Sequence, residues 1–180
     1  PIVHFEEWDR PEIEIAVINV RRVASGELGG VNNSAIINTV ERWPDRFVGF
    51  LGTDLEDVGK TIAELKELGK HPGIRGISVE PGSSQSAMLS DDQRLMPIYE
   101  LCQELGLPVS ISLSGLLSAL AGHDMSYASP IPVQRVAMRF PELKIIVSHA
   151  AWPWAELMVA IAMAHPNVFV SPDLYSATKM

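Results

Sequence analysis

Along the chain, short runs of β-branched and other apolar residues alternate with stretches whose apolar positions follow a helical period. Residues 12–21 read as a strand, with Ile13, Ile15 and Val17 on one face and Ile18 and Val20 on the other. A glycine-rich loop at 26–30 leads into an amphipathic helix over about 33–43, with Asn32 or Asn33 as its N-cap and Pro44 as its stop. A strand over 46–53 and a helix over 55–69 repeat the unit, the helix being apolar at Val58, Ile62, Leu65 and Leu68 and ended by Gly69. The cycle continues with strand 74–80, closed by Pro81-Gly82, and helix 90–106, with Asp91 and Asp92 near its positive end. Strand 108–114, helix 130–140, strand 143–149, helix 154–165 and strand 168–173 complete the series.

The pattern predicts six strands and five intervening helices in strict order. Strands separated by helices pair in parallel through right-handed crossovers, in an open doubly wound sheet or a closed barrel. No G-x-G-x-x-G or G-x-x-x-x-G-K-[ST] string follows a predicted strand, so the nucleotide-binding versions of the open sheet lack support. Polar residues instead collect at C-terminal strand ends on one parity: Ser78 and Glu80; Ser110, Ser112 and Ser114; Ser171 and Asp173. In a parallel barrel these ends form the active face, where inward side chains of successive strands converge. The expected fold is therefore a (β/α)8 TIM barrel represented by about six strands. A complete barrel takes roughly 250 residues. The chain of 180 residues is thus read as a single barrel domain over 1–180, incomplete at both ends.

Composition narrows the partners. A net charge of −8, a pI near 5.1 and the absence of any Lys/Arg run argue against nucleic acid and anionic membrane surfaces. No apolar run reaches the roughly 20 residues needed to cross a bilayer, and residues 1–10 lack the basic and apolar regions of a secretory signal. The single cysteine, Cys102, lies in an apolar helical pattern and cannot form an internal disulfide. A cytoplasmic setting with a buried structural thiol is expected.

A more specific signal comes from five strings. They are Trp43-Pro44-Asp45-Arg46-Phe47-Val48-Gly49-Phe50, Ile74-Arg75-Gly76-Ile77, Leu105-Gly106-Leu107-Pro108-Val109, Arg139-Phe140-Pro141-Glu142-Leu143-Lys144-Ile145-Ile146 and Ser148-His149-Ala150-Ala151-Trp152-Pro153-Trp154. They occur in this order at barrel-like spacing, and from about residue 12 to 175 the chain resembles the amidohydrolase superfamily. Within it, the resemblance is to the branch of aminocarboxymuconate-semialdehyde and resorcylate-type decarboxylases. It implies a metal-dependent hydrolase or decarboxylase (a carbon–carbon lyase) acting on a small carboxylated substrate, with a divalent metal such as zinc as cofactor.

The resemblance also implies a ligand set: an H-x-H pair on the first strand, histidines on the fifth and often the sixth, and an aspartate on the eighth. His149 stands at the sixth-strand position. Ser112 stands where the fifth-strand histidine is expected, and a neutral hydroxyl is a poor ligand beside imidazole. His4 has no partner two residues away, and the eighth strand would lie beyond Met180. An altered metal site follows, with a metal-free lyase and a non-catalytic binding or assembly barrel as the alternatives.

His149 is accordingly the catalytic and metal-binding candidate, placed where a neutral imidazole can ligate a cation or relay protons. Asp173 and Glu80 are further catalytic candidates, since a carboxylate at a barrel mouth can ligate metal or act as general base. An N-cap or turn remains open for Asp173, and an ion pair with an arginine for Glu80. Arg21 or its neighbour Arg22 can grip a substrate carboxylate with a bidentate fork, a surface salt bridge being equally open. Ser112 and Trp152 complete the candidate substrate-binding set, although Trp152 and Trp154 also suit packing of the turn around Pro153. His71, His123 and His165 read as surface residues or helix C-caps. A homo-oligomer is left open.

Overall fold

A computed structural model of the protein describes residues 13–22, 26 and 28–173. Its main elements are β1 (Ala16–Asn19), α1 (Asn33–Arg42), β2 (Phe47–Gly52), α2 (Val58–Leu68), β3 (Ile74–Val79) and α3 (Met96–Leu105). They continue as β4 (Val109–Ser114), α4 (Gly115–Leu120), α5 (Ile131–Arg139), β5 (Ile145–Trp152), α6 (Ala155–Ala164) and β6 (Val168–Ser171). All six strands lie in one sheet in sequential order, every neighbouring pair parallel. Sequential order is what separates a barrel wall from a doubly wound sheet, whose strand order reverses at a switch point. The molecule is six strands' worth of a (β/α)8 barrel.

Alternation along each strand divides the side chains between two faces. Leu51, Ile77, Ile111, Ile145 and Val147 face the helices and are fully buried in the core, against residues such as Ile36, Leu65, Ile98, Val133 and Met158. The intervening residues line the concave face, which is the barrel interior. Gly76 lies there because of its neighbour in register: a Cβ on it would sit 2.5 Å from the Phe50 ring. At the two sheet edges the concave face is apolar and open, with Val17 at 58% and Phe169 at 48% exposure.

Several details depart from the sequence reading. The helix expected over 90–106 starts at Met96, after a 3-10 turn at Gln93–Leu95. Asp92 caps that turn by accepting from the Arg94 amide, and Asp91 pairs with Arg135 instead of the helix terminus. Asn32 occupies the N-cap of α1 without capping it, because its Oδ1 is taken by Arg22. There are six described α-helices rather than five. Helix α4 follows β4 directly, its first turn closed by the Leu117 amide donating to Ser114 Oγ. No helix among the described residues is long and apolar enough to cross a membrane.

Candidate active site

The carboxyl ends of the parallel strands share one rim, and Glu80, Ser112, His149 and Asp173 all lie at or just below it. Strand β5 does not stop at His149 as expected but runs on to Trp152 through an irregular stretch. There His149, Ala150 and Ala151 have φ of 64°, 50° and 53°, and Asp173, just past the next strand, has φ 26°. Left-handed backbone costs an L-residue about 1–2 kcal/mol, and such outliers collect at functional sites, where surrounding structure holds them. The register Ser148↔Ser171 brings the two kinked ends side by side. His149 then meets Asp173 twice: its amide donates to Oδ2 at 3.1 Å and its Nδ1 lies 2.8 Å from Oδ1. Ser171 Oγ donates to the same carboxylate at 3.3 Å. A carboxylate at Nδ1 accepts a hydrogen bond from the N–H there, which makes Nε2 the basic nitrogen of the neutral imidazole.

A second pair lies over β1 and β3. Arg21 donates through Nε at 2.6 Å to Glu80 Oε2, and its terminal nitrogen is 2.5 Å from the same oxygen. Ser83, in the turn after β3, adds a third bond at 3.2 Å. The ion pair left open for Glu80 is therefore present, and its partner is the arginine singled out for substrate binding. With side-chain exposures of 20% and 17%, the pair is well beyond a fully solvated surface contact. It borders a small cleft whose walls include Arg22, Thr53, Ser78 and Ser84. Arg22 is held by Glu64 at 3.2 Å, yet its buried Nε has no hydrogen-bond partner among the described residues. The same holds for the buried Ser78 Oγ.

Ser112 is buried on the concave face of β4, in register with Ser148. Trp152 is half-buried at the rim in register with Ser114, whereas Trp154 packs against the core. The structure thus brings His149 to Asp173 and Arg21 to Glu80. Among the described residues no three His, Cys, Asp or Glu side chains converge as a metal cluster would require, and His4 lies outside those residues. Of the other described histidines, His71 lies 3.4 Å from Glu41, His123 contacts the Ser84 carbonyl at 2.9 Å, and His165 is the C-cap of α6. Burial pushes the Cys102 thiol up to about 12. Thr53, Ser83 and Ser148 were not singled out from sequence: Thr53, just past β2, has the parity of the helix-facing Leu51, so the strand-end rule that found Glu80 passes it over.

A parallel barrel wall with its polar side chains at the carboxyl rim defines a class of barrel enzymes. The family model described as amidohydrolase matches residues 7–177, and the chain belongs to that family. It is 33% identical to an uncharacterized TIM-barrel protein of Bordetella bronchiseptica, with a TM-score of 0.82 over 95% of this chain and 58% of that one. A 2-amino-3-carboxymuconate-6-semialdehyde decarboxylase of Dictyostelium discoideum is 29% identical over 120 residues, 62% of this chain and 33% of the relative. The 5-carboxyvanillate decarboxylase of Novosphingobium aromaticivorans, solved with bound manganese, shares the fold at 19% identity and TM-score 0.55, over 74% of this chain and 42% of that one. The chain therefore spans about a third of the curated relative and somewhat over half of the first solved one.

Proposed function

We propose that this chain carries the active rim of a metal-dependent hydrolase or carbon–carbon lyase acting on a small carboxylated compound. The observation that carries this reading is the pairing of Asp173 with His149 at the mouth of the barrel, at 2.8 Å. A divalent cation in such a barrel supplies Lewis acidity toward a substrate oxygen. His149 fits one ligand position, because a ligating imidazole commonly gives its other ring N–H to a carboxylate. The described donors are otherwise oxygens, a set that suits a hard cation such as manganese better than zinc.

The chain's own residues have distinct tasks. Arg21 binds the substrate carboxylate through guanidinium N–H groups, a planar fork matched to two oxygens. Glu80, itself fixed by Ser83, sets the direction of that fork. Asp173 fixes the tautomer and the aim of the His149 ring. Ser112 and Trp152 flank the substrate between the two pairs. The ion pair of Arg21 with Glu80 beside a cleft, together with the carboxylate of Asp173, supports a second reading, a metal-free lyase. In that case His149, once Nε2 has taken up a proton from water, gives that proton to the carbon that carbon dioxide leaves and returns to the neutral ring. The buried thiol suits a reducing, cytoplasmic setting.

Elemental analysis of the full-length protein decides between the readings. His149→Ala is expected to lower the content of bound divalent metal, with manganese retained in the unaltered protein. Metal content that is unchanged by the substitution, or nil after growth in metal-rich medium, moves the metal-free lyase ahead.

A further inference from the structure

We infer that the substrate's body, apart from its carboxylate, is a polyhydroxylated aliphatic chain rather than an aromatic ring. This rests on the carboxylate-binding rim proposed above and concerns the floor beneath it. Barrel interiors of this architecture are dominated by Val, Ile and Leu. Here the concave face of four successive strands carries hydroxyls instead: Ser78 on β3, Ser110 and Ser112 on β4, Ser148 on β5 and Ser171 on β6. They are neighbours through the registers Ser78↔Ser110, Ser112↔Ser148 and Ser148↔Ser171, and Ser110 Oγ lies 3.0 Å from Ser148 Oγ. The strip connects the corner of Arg21 and Glu80 with the corner of His149 and Asp173.

Two features point outward from this strip to a ligand. Ser78 Oγ is buried in the wall of the cleft beside Glu80 and has no hydrogen-bond partner among the described residues. The hydroxyl of its neighbour Thr53 is turned elsewhere, donating to the Ser78 carbonyl at 3.0 Å. A buried hydroxyl is normally satisfied, and a substrate hydroxyl can both donate to it and accept from it. The second feature is the distribution of rings. An aromatic substrate needs flat apolar walls. Yet the Phe50 ring is folded over Gly76, deeper along β2 and β3, and Phe169 lies below Ser171 on β6. Of the concave-face aromatics among the described residues, Trp152 at the rim is the one at substrate level. An aromatic ring laid on the serine strip would take water from these hydroxyls and return no partner. A site built to hydrogen-bond substrate hydroxyls strongly rejects an analogue lacking them.

Calorimetric titration of the full-length protein tests this with three sets of probes: aldonates (gluconate, galactonate, mannonate, threonate), aromatic acids (benzoate and 2,6-dihydroxybenzoate) and gluconamide. At least one aldonate is expected to bind about tenfold or more tighter than either aromatic acid, the worth of roughly one well-made hydrogen bond. Ser110→Ala and Ser112→Ala should each weaken it about tenfold, and Ser112→Thr, which keeps the hydroxyl, should restore it. Tighter binding of an aromatic acid, or aldonate affinity that both alanine variants leave unchanged, overturns the inference. If that aromatic binding is lost in Arg21→Ala, the carboxylate-binding rim stands while the hydroxyl floor falls. Serine-dependent binding of gluconamide with no binding of any acid has the opposite meaning. Binding of none of the probes overturns both.

Discussion

His149 and Asp173 share two hydrogen bonds, so one side chain controls both the backbone and the ring of its neighbour. Asp173→Asn keeps the size and removes the charge, and its amide can present a donor where the ring needs an acceptor. Steady-state assays of the full-length enzyme are expected to show about a 10–100-fold loss of activity, the usual cost of losing a carboxylate behind a functional histidine. Cys102 provides the contrasting case of a residue set by burial alone. Burial disfavours the thiolate and pushes the thiol up to about 12, so at pH 8 the folded protein holds almost none of the reactive form. Iodoacetamide at that pH should leave the native protein unlabelled and label it once urea has unfolded it. Fast labelling of the native state would mean that the helix carrying Cys102 opens readily.

Among the elements, those with a strong period and clear punctuation form where expected, and those decided by one or two local contacts do not. Helix α3 ends at Gly106, which has φ 66° and nothing within 4 Å of where a Cβ would stand. Strain of the backbone, without any clash, is therefore what an alanine would add there. Gly106→Ala should lower stability by about 1–2 kcal/mol, read as a shift of the urea midpoint with an unchanged slope. Helix α4, at six residues, is shorter than two turns and shows too little period to be seen in the sequence. Its start depends on Ser114, which serves at once as the last residue of β4 and as the cap. The irregular end of β5 is similar: Ala150 and Ala151 carry no sign of left-handed backbone in their residue type.

At the scale of the whole molecule, stability and chemistry occupy different places. The helix-facing residues between sheet and helices hold the wall together, and the rim carries the Arg21–Glu80 and His149–Asp173 pairs. Ile145, fully buried at the start of β5, makes the comparison direct. Ile145→Ala should cost about 2–5 kcal/mol of stability by leaving a cavity, while the fraction that remains folded binds ligand as before. Arg21→Ala should do the reverse, weakening binding of carboxylated ligands with a much smaller change in denaturation midpoint. Loss of ligand binding by folded Ile145→Ala would show that the core and the rim are coupled.

What the sequence determined by itself follows from period and position. Alternating strands and helices dictated parallel pairing, and one-parity polar ends located the rim with Glu80 and Asp173 on it. Arg21 was found as the end of the first strand, and His149 through its place in the string 148–154. These are local properties, since a side chain's face depends on its place in its own strand. The pairings depended on more. Arg21 meets Glu80 across 59 residues, and His149 meets Asp173 across 24, through inter-strand register and kinked strand ends. Nor did strand-by-strand reading reveal a continuous line of hydroxyls, because Ser148 was then a residue of β5 alone and becomes part of the strip through its neighbours on β4 and β6. Tertiary structure made those choices, because register and curl are set by how the whole sheet packs against its helices and by no residue singly.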